Sequence, residues 1–186
     1  MPNPDAYARA YSGKTAQVVI DDEALVVIDY EHFRVHEGHR IIYHFLNLAV
    51  SDDAYADILI EVAADIAHFS GEVTAEGLAY VSFYEGPTFS AAGTEITGVN
   101  RARASYARAP LMTVSHTPTV SVVGTTLVAG RILPGGTNPA QAVGGRIGSE
   151  EWVLNANTDY LLRVQNKSGS AAYIEILLDM YEDKHD

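Results

Sequence analysis

From residue 15 onward the chain is a succession of short apolar runs rich in Val, Ile, Leu, Tyr and Phe. They fall at 16–20, 24–35, 40–50, 56–63, 67–75, 78–86, 110–117, 125–133, 151–155, 159–166 and 171–182. Clusters of Gly, Pro, Asn and Asp separate them, which is the pattern of strands closed by turns. Several runs alternate with period 2, as a strand with one buried face must. In the last, Ala172, Ile174, Ile176, Leu178 and Met180 take one face. Tyr173, Glu175, Leu177, Asp179 and Tyr181 take the other. In the run before it, Tyr160, Leu162 and Val164 oppose Leu161, Arg163 and Gln165. The turn-rich stretch "NKSGSAA" (166–172) joins the two, as a hairpin connection would.

Helical periodicity is thin. The apolar positions of 51–69 suit either period, and Ser51 is a possible N-cap. Ile58, Ile60 and Val62 nevertheless alternate with Asp57 and Glu61, which favours strands. So many short strands with frequent turns predict an all-β fold, a jelly-roll-like β-sandwich of eight or more antiparallel strands. Residues 1–14 read as an N-terminal arm and 15–186 as a single β-sandwich domain. Two long insertions, 86–110 and 134–151, interrupt the strands; loops of that length are uncommon unless functional or mobile.

Composition narrows the function classes. The 186 residues suffice for one domain with a full core. Only 19% are charged, which points to surface covered by partner subunits. A net charge of −12, from 24 acidic and 12 basic residues, argues against a nucleic-acid groove and against anionic membranes. No cysteine is present, so disulfides, zinc–thiolate sites and cysteine nucleophiles are excluded. The first 14 residues lack the apolar core of a signal peptide. No run reaches transmembrane length. The expectation is synthesis in a cytoplasm and no passage through the general secretory route.

Chemistry is most concentrated at 30–45, "YEHFRVHEGHRIIYHF", which holds His32, His36, His39 and His44. A zinc protease would read H-E-x-x-H on a helix. "HEGHR" has one residue too few between its histidines and Gly38 at its centre. The stretch reads as two strands joined by a tight turn at Gly38. Its imidazoles are then surface or interface groups, and unperturbed His titrates near pH 6.5, so a pH-sensitive contact is expected. No metal site is expected. The acidic pairs at 21–23, 52–53 and 150–151 read as solvated turns, with no D-x-D-x-D-G loop for calcium. No nucleophile elbow or phosphate loop follows a strand, and no cofactor is implied. Trp152 opens a strand and reads as core or interface. The loop "NRARASYAR" (100–108) gathers Arg101, Arg103 and Arg108, three of the 12 basic residues. Arg makes planar, multidentate contacts and is favoured at interfaces, so this loop is the candidate docking element.

The order "VHEGHRIIYHF", "VSFYEGPTFSAAGTEITGVNRAR", "VSHTPTV", "EEWVLNANTDYLLRVQNKSGSAAYIEILLDMYE" resembles a family of small virion proteins of tailed bacteriophages. The resemblance spans about 33–182 and is most specific in the last segment. It leaves out the Gly-rich stretch 134–149 and the arm. It implies a jelly-roll capsid decoration, or cement, protein, non-enzymatic, sitting as a homotrimer on the major capsid protein at the virion surface. On that reading Arg101, Arg103 and Arg108 dock, and Tyr7 and Tyr11 of the arm anchor. The alternative is a receptor- or carbohydrate-binding module on a phage tail or fibre, because jelly rolls also serve as lectin scaffolds.

Overall fold

The computed structural model describes residues 19–21, 24–26, 30–103, 108–135, 143–146 and 151–183. Tyr7, Tyr11 and the whole 1–14 arm lie outside them. The described elements begin with the small antiparallel pair β1 (Val19–Asp21) and β2 (Ala24–Val26), then helix α1 (Tyr30–His36). Strands follow: β3 (Ile41–Val50), β4 (Tyr55–Glu61), β5 (Ile66–Ala75), β6 (Ala79–Glu85), β7 (Thr88–Ala91), β8 (Thr94–Glu95) and β9 (Val99–Asn100). The second half adds β10 (Thr113–His116), β11 (Thr119–Val122), β12 (Thr125–Leu133), β13 (Val143–Arg146), β14 (Trp152–Leu154), β15 (Asp159–Asn166) and β16 (Ala172–Asp183).

Two antiparallel sheets form a sandwich. One has the order β12-β6-β15-β4-β10-β8. The other runs β13-β5-β16-β3-β9, with β14 also pairing with β5. The pairings nest. β3 pairs with β16, β4 with β15, β5 with β13 and β14, β6 with β12, and β7 with β11. From β3 onward the described strands therefore form a long antiparallel ribbon, β3 against β16, rolled into two sheets, which is the jelly-roll solution to burying two sheet faces. The period-2 pattern puts Ala56, Ile58 and Ile60 of β4 and Tyr160, Leu162 and Val164 of β15 into the core. They face Phe69 and Val73 of β5 and Ile174, Ile176 and Leu178 of β16. Phe83 is fully buried at the centre, with the rings of Phe69, Tyr160 and Trp152 within 5.3–5.7 Å of its own. Trp152 is thus a core-packing residue, as its place at a strand start suggests.

The structure settles 51–69 as strand: β4 and the start of β5 occupy it. It corrects two other expectations. The run 24–35 is not one strand, since β2 ends at Val26 and α1 begins at Tyr30. The long insertions also carry structure of their own: β7, β8 and β9 lie within 86–110, and β13 within 134–151. The β7–β11 ribbon leaves the first sheet where Glu85 meets Thr125. It rejoins on the far side, where Thr94 meets His116. It must therefore cross the outer face. Leu59 and Leu161 occupy outward positions there, yet both are fully buried. At the corner Gly124 takes φ +88°, and a Cβ on it would strike the Glu85 carbonyl, so only glycine fits.

Candidate docking site

The His-rich stretch is a helix end, not a hairpin. The amide of Gly38 bonds to the Val35 carbonyl (3.0 Å) and that of His39 to the Arg34 carbonyl (3.1 Å). Gly38 has φ 74°. These two bonds around a left-handed glycine are the Schellman helix stop. A hairpin turn and a helix stop both call for Gly with positive φ, which is why the sequence alone misassigned it. On the helix His32 and His36 are four apart and meet edge-on, Nε2 to Nε2 2.9 Å, both exposed. His39 leads into β3. His44 is elsewhere, on the outer face of β3, 2.9 Å from Glu175 Oε1.

Below the helix lies an ion-pair network that ties α1, β3 and the Arg loop to the end of β16. Arg40 makes a two-pronged contact with Asp179, Nε to Oδ1 2.9 Å and Nη2 to Oδ2 3.1 Å. Arg101 Nη1 reaches the same Oδ2 at 2.9 Å. Arg34 contacts Glu37 at 3.1 Å and also Asp183. The guanidinium groups of Arg34 and Arg40 stand 5.7 and 6.0 Å from the Tyr181 ring, which stacks on His68 at 4.3 Å. Bidentate arginine–carboxylate pairs fix geometry as well as charge.

Backbone bonds then hold the loop. Asn100 Nδ2 donates to the carbonyls of Gly38 (2.7 Å) and Arg108 (3.0 Å), and its Oδ1 accepts from the Ala102 amide (2.8 Å). The Arg108 amide donates to Gly38 O (3.0 Å), and the Arg101 amide to Arg40 O (2.8 Å). The Glu182 carboxylate accepts from the amides of Leu111 and Met112. His39 Nδ1 lies 3.3 Å from Glu182 O. A cleft of about 230 Å³ opens here, lined by His39, Asp65, Arg108, Leu111 and Glu182 among others. Nearby, burial and then the charges of Glu182 and Glu95 push the Tyr43 hydroxyl well above its usual range. That hydroxyl has no hydrogen-bond partner among the described residues.

The three arginines of the candidate loop therefore have different roles. Arg101 is committed to Asp179 inside the protein. Arg108 lines the cleft. Arg103 is exposed and has no ion pair among the described residues. Of the histidines, His39 joins the cleft, while His32 and His36 stand on α1 and contact each other. Sequence reasoning missed Arg40, Asp179 and Glu182. The alternation in 171–182 placed Asp179 outward, but nothing local says that two arginines from distant segments converge on it. No group of three or more His, Asp or Glu converges as a metal site among the described residues.

No protein-family model and no curated protein matches the chain. Among solved structures it is weakly similar to the viral particle of infectious bursal disease virus. There the identity is 11% over 91% of this chain and 44% of that one, with a TM-score of 0.16. A mutant VP2 protein of the same virus, in derived particles, gives 10% identity, 93% and 46% coverage and a TM-score of 0.15. The Gt strain gives 11%, 91%, 45% and 0.14. The chain spans less than half the length of each.

Proposed function

We propose that this protein is a structural, non-enzymatic component of a tailed-phage virion, a decoration or cement protein that binds the major capsid protein on the outer surface. One observation carries the docking part of this reading. The loop 100–112 is fastened by Asn100, Arg101 and Glu182 to the end of the sandwich, and it holds out Arg103 and Arg108. In a chain of net charge −12, exposed arginines next to such anchored residues match an acidic partner surface better than they match solvent. The rolled ribbon and the motif order of 33–182 support the same reading.

Self-association as a homotrimer belongs to the proposal. Leu46, Leu48, Leu177 and Val99 are exposed around β3, and among the described residues β9 pairs with only Ile41 and Ile42 of that strand. Many copies then multiply a modest contact by avidity. His39 lines the cleft beside Arg108, and imidazole is the side chain whose charge ordinarily changes between about pH 5 and 8. Release of the protein from particles should therefore change between about pH 5 and pH 8, and a flat profile counts against the histidine role.

The test replaces Arg103 and Arg108 together by glutamate. Occupancy on purified particles should fall roughly tenfold at raised salt, the factor that ~1.4 kcal/mol represents. Unchanged occupancy contradicts the docking role.

A further inference from the structure

The opposite side of the molecule carries a different surface. On the outer face of β6, β15 and β4, one register row reads Tyr80–Gln165–Tyr55 and the next Ser82–Arg163–Asp57. Their strand neighbours Val81, Val164 and Ala56 point into the core, so these side chains point out. Tyr84 lies one row further along β6, level with the buried Leu161 and Leu59, where the open part of the face ends. Tyr55 is half exposed, and Tyr80 and Tyr84 are partly so. The ribbon that buries Leu59 and Leu161 covers one end of this face and leaves the other open.

At the centre stands Arg163. Its Nε and Nη2 bond to Asp57 at 2.9 and 2.6 Å, and its guanidinium lies 4.3 Å from the Tyr55 ring. Arg163 Nη1 makes no hydrogen bond among the described residues, nor do the hydroxyls of Tyr55, Tyr80 and Tyr84. Gln165 Nε2 donates to Asp53 O, and its Oε1 remains an acceptor. Asp57 pairs with Arg163 and Asp53 with Lys167 at the rim, where Asp52 adds a further negative charge.

We propose that this face is a binding platform for a neutral saccharide. Aromatic rings about two strand spacings apart, roughly 10 Å, with fixed donors and acceptors between them, match a chain of sugar rings. Their C–H faces pack on the tyrosines, and their hydroxyls bond to Arg163 Nη1, Gln165 and the phenols. The carboxylates at the rim and the acidic chain as a whole disfavour a phosphorylated or uronic-acid polymer. A peptide would need an open strand edge or an apolar pocket, and this face lies inside the sheet, between β12 and β10.

The experiment is native electrophoresis of the intact protein through gels containing mixed-linkage β-glucan, galactomannan, mannan or dextran. Migration is expected to slow in at least one gel. Tyr55→Ala and Tyr80→Ala should each weaken that interaction roughly tenfold, while Tyr55→Phe retains the stacking and most of the retardation. Arg103→Ala should bind like the wild type, which separates this site from the docking loop. Circular dichroism checks that each variant is folded. Unaltered migration in all four gels, or tyrosine-to-alanine variants that bind like the wild type, overturns the platform.

Discussion

Asp179 shows how one carboxylate can organise a site. It takes two bonds from Arg40, which is only 7% exposed, and one from the half-exposed Arg101. Removing a partner from a buried guanidinium costs more than removing one at the surface. Asp179→Ala should therefore lower unfolding free energy by about 1.5–3 kcal/mol, and Arg101→Ala by less than about 1 kcal/mol, both read by urea titration. Equal losses would contradict the ranking. Glu61 works in the opposite sense. It faces Asp159 across the β15–β4 ladder. Burial and then that neighbour's charge raise its pKa above the usual 4.5, and burial raises that of Asp159. A carboxyl with a raised folded pKa binds its proton more tightly in the native state. Its contribution is therefore fully present below the unfolded pKa and is lost as pH rises through the folded one. Glu61→Gln should stabilise the protein at pH 7 by about 0.2–1 kcal/mol, the cost of like charges placed opposite. The gain should vanish towards pH 4, and a gain equal at both pH values would contradict this account.

The element that most changes the picture is α1. The run 24–35 is rich in Val, Ile, Tyr and Phe, so propensity favours strand, and tertiary contacts overrule it. Arg34, from the middle of the helix, reaches Glu37, Asp183 and the ring of Tyr181, contacts that no local pattern reveals. Gly38 is the hinge of this arrangement: its φ of 74° stops the helix, and its carbonyl accepts from both Asn100 and Arg108. Gly38→Ala should cost ~1–2 kcal/mol through left-handed strain. It should also speed amide exchange at His39 and Arg108, whose N–H groups depend on this turn. If only global stability changes and those two amides keep their protection, the turn does not position the loop. The strands, by contrast, were legible. Alternation in 56–63, 159–166 and 171–182 gave both the elements and their buried faces, because one side of each strand must meet the core.

At the scale of the whole molecule, the jelly roll follows from the nested pairing of β3–β7 with the strands from β16 back to β11. The number of strands and their turns announced a sandwich. Their order did not follow from local pattern, because pairings such as β3 with β16 join residues more than a hundred positions apart. The same holds for the site: the Arg loop stood out by composition, but its fastening to β16 and its division into one structural and two presented arginines are tertiary facts. The assembled molecule presents a basic loop at one end, exposed leucines around β3 and a tyrosine face on the other sheet. A homotrimer built on Leu46, Leu48 and Leu177 should appear as a threefold mass in light scattering, and Leu48→Glu should reduce it to monomer. A wild-type protein that stays monomeric at all concentrations contradicts that arrangement. The decoration role itself is tested most directly by quantitative mass spectrometry of purified phage particles, counting this chain against the major capsid protein. A structural decoration role predicts hundreds of copies per particle. A few dozen or fewer, or none, would contradict it.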